Sequence, residues 1–171
     1  MNGEVNYLFP VKVMRFFDIL SQPDLDNVKK SLNFNNHWQT KTNLQNNKIF
    51  ETLKTSIIIK SYQYLNDDFY VFEDLQINEM WGNVLKPGKM HEPHNHSNNF
   101  LSGVFYVESD EETSIRFLDP KSAASIFKPS VKKWTLSNSD TWFYPSTKNS
   151  LILFPSYLLH YVPMNNTKND R

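Results

Sequence analysis

Three of the five histidines in this 171-residue chain fall within one short run, Met90-His91-Glu92-Pro93-His94-Asn95-His96. Residues two apart on an extended chain point the same way, with backbones roughly 6.5–7 Å apart. His94 and His96 can therefore reach one ion at the ~2.0–2.2 Å typical of metal–imidazole bonds. Neutral imidazole suits iron, zinc, copper and nickel alike. A third donor lies far along the chain, at His160 in Phe154-Pro155-Ser156-Tyr157-Leu158-Leu159-His160-Tyr161-Val162. Its apolar neighbours should bury, and a buried imidazole needs a partner, which is a metal or a backbone carbonyl. His37 sits in a polar stretch far from the cluster, and His91 is three residues before His94; neither is assigned to the metal. His94-Asn95-His96 also spells a nuclease motif, but the basic surroundings and the ββα pattern that such a site needs are not legible.

The rest of the composition narrows the chemistry. There is no cysteine, which removes thiolate catalysis, cysteine zinc sites and disulfides together. The 18 basic and 18 acidic residues cancel, without the basic excess of a phosphate-binding surface, so nucleic acid is not an expected partner. No apolar run approaches the ~18 residues of a membrane span and the first ten residues are too polar for a signal peptide, so no membrane partner is expected and the chain reads as cytoplasmic. Its length and its 39% hydrophobic content suit one domain spanning 1–171.

The elements that must position these histidines change character along the chain. Pro23, Asp24 and Asp26 open a short helix to Leu32. The Asn- and Thr-rich stretch 33–47 reads as loop. The run Lys48–Leu65, with Ile49, Phe50, Leu53, Ile57 and Tyr64 at three- and four-residue steps, predicts a longer helix. The period then becomes two. Phe72, Leu75 and Ile77 on to Val84 predict a strand, closed by Lys86-Pro87-Gly88. Further strands are expected at 100–107, 113–118, 151–154 and 158–162, with a loop over 122–139 and the histidine cluster in a loop between strands. Helical support over roughly 1–68 and a β core over roughly 69–171 make a mainly β sandwich or barrel with N-terminal helices.

The motifs, taken in order, are more specific than this. Trp81-Gly82-Asn83-Val84, Lys86-Pro87-Gly88, His94-Asn95-His96 and Phe100-Leu101-Ser102-Gly103-Val104-Phe105-Tyr106-Val107 come first. Phe117-Leu118-Asp119-Pro120, Leu151-Ile152-Leu153-Phe154-Pro155-Ser156 and His160-Tyr161-Val162-Pro163 follow, and Leu8-Phe9-Pro10 stands near the start. In this the chain resembles a family of iron- and 2-oxoglutarate-dependent oxygenases of bacteria and phages, within the prolyl-hydroxylase-like superfamily. The resemblance implies a double-stranded β-helix (a jelly roll, cupin-like) holding Fe(II) through His94, His96 and His160. It implies 2-oxoglutarate as a small-molecule co-substrate with dioxygen, and hydroxylation of a substrate, a peptidyl or prolyl residue among the candidates. His96 stands where the superfamily usually has Asp or Glu, which leaves the donor set one negative charge poorer.

Other assignments follow from the same resemblance. Arg171, eleven positions after His160, matches the basic residue that pairs with the far carboxylate of 2-oxoglutarate, a role that suits a planar guanidinium. Tyr106 is a candidate donor to the same co-substrate, and Asn83, beside Trp81, a candidate for the pocket lining. Asn149 replaces a glycine before the strand at Leu151 and tolerates the left-handed backbone expected there. Two rival readings share the histidines: a cupin-like three-histidine metalloenzyme without 2-oxoglutarate, and a non-enzymatic metal-binding module. Assembly as a homodimer is compatible with the sequence.

Overall fold

The computed structural model describes residues 3–35, 37–109, 113–121 and 129–171. Two antiparallel sheets carry most of the order. Strands β1 (Met14–Phe16), β3 (Leu101–Tyr106) and β6 (Ser150–Pro155) form one sheet in the order β1-β6-β3. Strands β2 (His91–His94), β4 (Ser114–Leu118), β5 (Thr141–Pro145) and β7 (His160–Val162) form the other in the order β2-β7-β4-β5. Two helices, α1 (Gln22–Ser31) and α2 (Glu51–Asp67), precede all strands but β1.

The continuous apolar run of β6 explains the layering. A strand buried on both faces loses the usual alternation of apolar and polar residues. Leu151 and Leu153 pack with Phe16, Tyr64 and Leu65 toward α2. Ile152 and Phe154 turn the other way, to Ile115, Phe117 and Leu158 between the sheets. A third cluster of Leu20, Leu25, Val28, Phe50 and Leu53 ties α1 to the start of α2. Gly103 permits the close approach of β3 to β6, since a Cβ there would stand 2.7 Å from Leu153 Cδ2 and 3.1 Å from the Ile152 carbonyl oxygen.

Local chemistry sets the element ends. Ser21 caps α1, its Oγ accepting from the Asp24 N–H at 3.3 Å and donating to Asp24 Oδ2 at 2.6 Å, while proline occupies the first turn where no N–H is needed. Asn149 adopts φ 60° at the turn into β6. Its amide clasps the backbone of Leu20, accepting from the N–H at 3.0 Å and donating to the carbonyl at 2.8 Å.

The structure corrects four expectations. The strand read over 72–84 is not a ladder: Phe72 and Leu75 pack on the α2 cluster, and pairing is confined to its end, where Met80, Gly82 and Val84 bond to the 38–44 segment. Alternation there records packing on this core cluster, which α2 shares with β1 and β6. The histidine cluster is not wholly in a loop, because His91–His94 is strand β2. β1 lies inside the stretch read as helical support and pairs with β6, Met14 opposite Leu153. β5 was not foreseen; it pairs with β4 along its length. The loop over 122–139 lies partly outside the described residues, and 129–139 contains no strand.

Candidate metal centre

The pairing of β2 with β7 makes the site. His94 lies opposite His160 in this ladder, which places residues 66 positions apart in sequence side by side. A register irregularity between His91 and His94 turns the end of β2, and the chain beyond is held by the His96 N–H donating to the Ser156 carbonyl at 2.9 Å. The donor nitrogens of His94, His96 and His160 all lie within 4.8 Å of one another. Ring centroids are 4.4 Å apart for His94 and His160, 5.2 Å for His96 and His160, and 5.3 Å for His94 and His96. His160 is buried against Phe154, with centroids 4.7 Å apart, and Phe117, at 6.1 Å, while His94 is exposed. The cluster is therefore closed from below by aromatic rings and open above.

The second ring nitrogens show what the cluster is prepared to bind. His160 Nδ1 lies 2.9 Å from the Leu158 carbonyl and His94 Nδ1 lies 2.7 Å from the Glu92 carbonyl. A carbonyl only accepts, so each Nδ1 carries the proton and each Nε2 presents a lone pair. Orientation of a ligating imidazole by a backbone carbonyl on its other nitrogen is the usual support of a metal site. Burial pushes the His160 imidazole down to about 4, with His94, His96 and His91 adding to the effect against the Leu158 bond. Burial and His94 also lower His96. Neutral, oriented imidazoles fit a first-row divalent cation.

The other expected residues are distributed around this centre. Arg171 is backbone-paired with Leu85, its N–H donating at 3.0 Å and its carbonyl accepting at 2.6 Å. Directly opposite residues share a sheet face, so the Arg171 side chain lies on the face of Leu85, Asn83 and Trp81. Trp81 in turn lies 5.9 Å from the His96 ring. Arg171 Nε is buried without a partner among the described residues, an orphaned donor on the site's flank. Turned so that its oxygen faces Trp81, the Asn83 amide accepts from Trp81 Nε1 and donates to the Gly82 carbonyl, each at 3.2 Å. Tyr106 stands at the far end of β3, opposite Ser150. It is four residues (~13 Å) from Ser102, whose hydroxyl meets Ser156 beside the histidines at 2.7 Å. Burial raises its phenol, with Arg15 acting in the opposite sense.

Sequence reasoning left His91 outside the ligand set, where the converging donors also leave it, and missed one support of the site, Ser156. His91, set aside on spacing, has its ring 5.6 Å from Trp38 and its Nε2 buried without a partner among the described residues. Ser156 anchors His96 through a backbone carbonyl that no side-chain pattern could reveal.

Comparison with known proteins agrees with this geometry. A family described as "Putative 2OG-Fe(II) oxygenase" matches residues 79–171, more than half of the chain. Among curated proteins, none matches the sequence. The fold is similar to HygX from Streptomyces hygroscopicus, solved with nickel and 2-oxoglutarate bound (TM-score 0.61, 11% identity, 94% of this chain and 78% of that one). It is also similar to the α-ketoglutarate-dependent epimerase SnoN of nogalamycin biosynthesis (TM-score 0.65, 10% identity, 94% and 73%) and to a prolyl-4-hydroxylase of Pseudomonas putida (TM-score 0.57, 11% identity, 94% and 88%). The chain belongs to the 2OG-Fe(II) oxygenase family, whose cofactor is iron(II) and whose co-substrate is 2-oxoglutarate.

Proposed function

We propose that His94, His96 and His160 together hold iron(II), that Arg171 pairs with the distal carboxylate of 2-oxoglutarate, and that the protein hydroxylates a residue of a polypeptide substrate, prolyl residues included. The observation that carries the reading is the convergence of three imidazole nitrogens within 4.8 Å, two of them with their other nitrogen already engaged by a carbonyl. Bound iron supplies oxidising power through dioxygen and the decarboxylation of 2-oxoglutarate to succinate. The protein's own contribution is placement. The carbonyls of Glu92 and Leu158 fix two rings, and Ser156 fixes the backbone at His96. Phe117 and Phe154 exclude water beneath His160. The buried, unpartnered Nε of Arg171 supports its role as a carboxylate partner, since a bidentate ion pair satisfies it. Asn83, bound to Trp81, acts on this reading as a brace for the pocket wall, and Tyr106 lines the inter-sheet space further in.

Family membership weighs against the two rivals, the cupin-like enzyme without 2-oxoglutarate and the non-enzymatic module. The test is succinate formation from 2-oxoglutarate by the iron-loaded protein in air, measured without and with uncharged peptides. Stimulation of succinate formation by a peptide, together with a mass gain of one oxygen on that peptide, supports the reading. The absence of succinate from an iron-loaded, folded protein contradicts it.

A further inference from the structure

The segment 38–44 pairs with 80–84 through one edge only. Thr40 donates to the Gly82 carbonyl, and the Trp38 and Thr42 carbonyls accept from Val84 and Met80 at 2.8 and 3.2 Å. In an antiparallel pair the groups of alternate residues point to opposite edges. Beside the antiparallel bridge of Gln39 to Asn83, Trp38 and Thr40 are used inward, so the main-chain groups of Gln39 and the Lys41 N–H face outward; at Asn43, which bridges Met80 in the parallel sense, the chain turns into a 3-10 helix and the carbonyl accepts from the Asn46 N–H at 3.1 Å. The N–H groups of Gln39 and Lys41, and the Gln39 carbonyl, make no hydrogen bond among the described residues. The Lys41 carbonyl accepts only from the Thr40 hydroxyl, at 2.9 Å.

This outward edge lines a cavity of about 690 Å³. Six of its lining residues carry amides, Asn33, Asn35, Gln39, Asn43, Asn46 and Asn47, and His37 and Lys41 are the ionisable ones. Amides offer donors and acceptors together, and the near absence of charge disfavours an ionic ligand. The edge is connected to the metal centre by register. Gln39 lies opposite Asn83 and so shares a face with Asn83 and with Trp81, which touches His96; Trp38 touches His91.

We propose that this edge and its amide-lined cavity bind an uncharged, extended polypeptide segment as an added strand, which delivers a neighbouring residue to the three-histidine site. The inference rests on the hydroxylase reading above and supplies its substrate subsite. The outward groups of Gln39 and Lys41, two residues and roughly 6.5–7 Å apart, match one repeat of an extended peptide backbone, whereas a saccharide has no such repeat of alternating donors and acceptors. Unpaired edges of this kind are the usual points of strand addition.

The test is binding of the iron-loaded protein to an array of nine-residue peptides built from Asn, Gln, Ser, Thr, Gly, Pro and Ala, with chitotetraose as the saccharide probe. The tightest peptide is then measured in solution as itself and with N-methyl groups on alternate residues in each of the two registers. One register of methylation should weaken binding at least tenfold and the other should not. The variant Lys41→Pro removes an outward N–H without touching an inward bond; it should also weaken binding at least tenfold while leaving iron(II) and 2-oxoglutarate affinity unchanged. Absence of any peptide binding, binding of chitotetraose in its place, or equal binding by both methylated registers and by Lys41→Pro each overturns the proposal. Because iron(II) and 2-oxoglutarate affinity are measured separately, loss of the edge leaves the metal reading standing, and loss of the metal reading is seen directly.

Discussion

Acidifying the metal-free protein should destabilise it through His160. This residue is 4% exposed and its folded value is depressed to about 4 from 6.5. Above pH 6.5 the ring is neutral in both the folded and the unfolded chain and contributes no pH dependence. Between 6.5 and 4 the unfolded chain takes a proton that the folded chain refuses, so stability falls as pH falls. The loss is about 1.4 kcal/mol at pH 5.5 and about 2.5 kcal/mol at pH 4.5, from ~1.36 kcal/mol per tenfold change in proton affinity. For a chain of this size the larger figure corresponds to a fall in Tm of about 5–10 °C. Other groups titrate over the same range, so the comparison is with His160→Phe, which places a non-titrating ring between Phe117 and Phe154. Thermal melts of both proteins with chelator, at pH 7.5 and 4.5, should show wild type losing about 5–10 °C more than the variant. Equal acid responses would refute the reasoning, because they would mean that His160 takes up its proton in the folded state at little cost.

Four further outcomes are expected. Arg171→Ala should weaken 2-oxoglutarate binding about 10–100-fold, the worth of a charge-assisted bidentate pair, with iron(II) affinity unchanged by calorimetry. His96→Ala should weaken iron(II) binding while His96→Asp retains it, since a carboxylate also ligates iron; equal retention by both would remove His96 from the ligand set. Gly103→Ala should cost about 1–3 kcal/mol in urea unfolding, because the new methyl meets Leu153 and the Ile152 carbonyl. Asn149→Ala should cost about 2–4 kcal/mol, combining two lost hydrogen bonds with a left-handed backbone, and Asn149→Gly should cost less because glycine keeps the backbone conformation.

Much of this architecture was legible because its signals are local. The continuous apolar run Leu151–Phe154 before Pro155 read as a strand, and Ile57 and Tyr64 fall on the helical period that packs α2 on the sheet. The His-x-His pair and the buried setting of His160 pointed to one centre before any contact was visible. What escaped depended on partners distant in sequence. Strand β1 is three residues long and is ordered by its pairing with β6. The stretch 72–84 carried a strand-like alternation because Phe72 and Leu75 pack on a core cluster that α2 shares with β1 and β6. β5 alternates half-buried Trp142 and Tyr144 with exposed residues, a weak signal at the edge of a sheet. Arg171 had no readable place in the sequence, and its pairing with Leu85 gives it one.

The central claim is that three imidazoles build one iron site that 2-oxoglutarate completes. Anaerobic titration calorimetry tests it most directly, with iron(II) added first and 2-oxoglutarate second, on wild type, His94→Ala and His160→Ala. The account predicts one iron(II) per chain, one 2-oxoglutarate that binds tightly only to the iron-loaded protein, and loss of both in either variant. Equal binding of 2-oxoglutarate with and without iron, or iron binding that survives both substitutions, would contradict it.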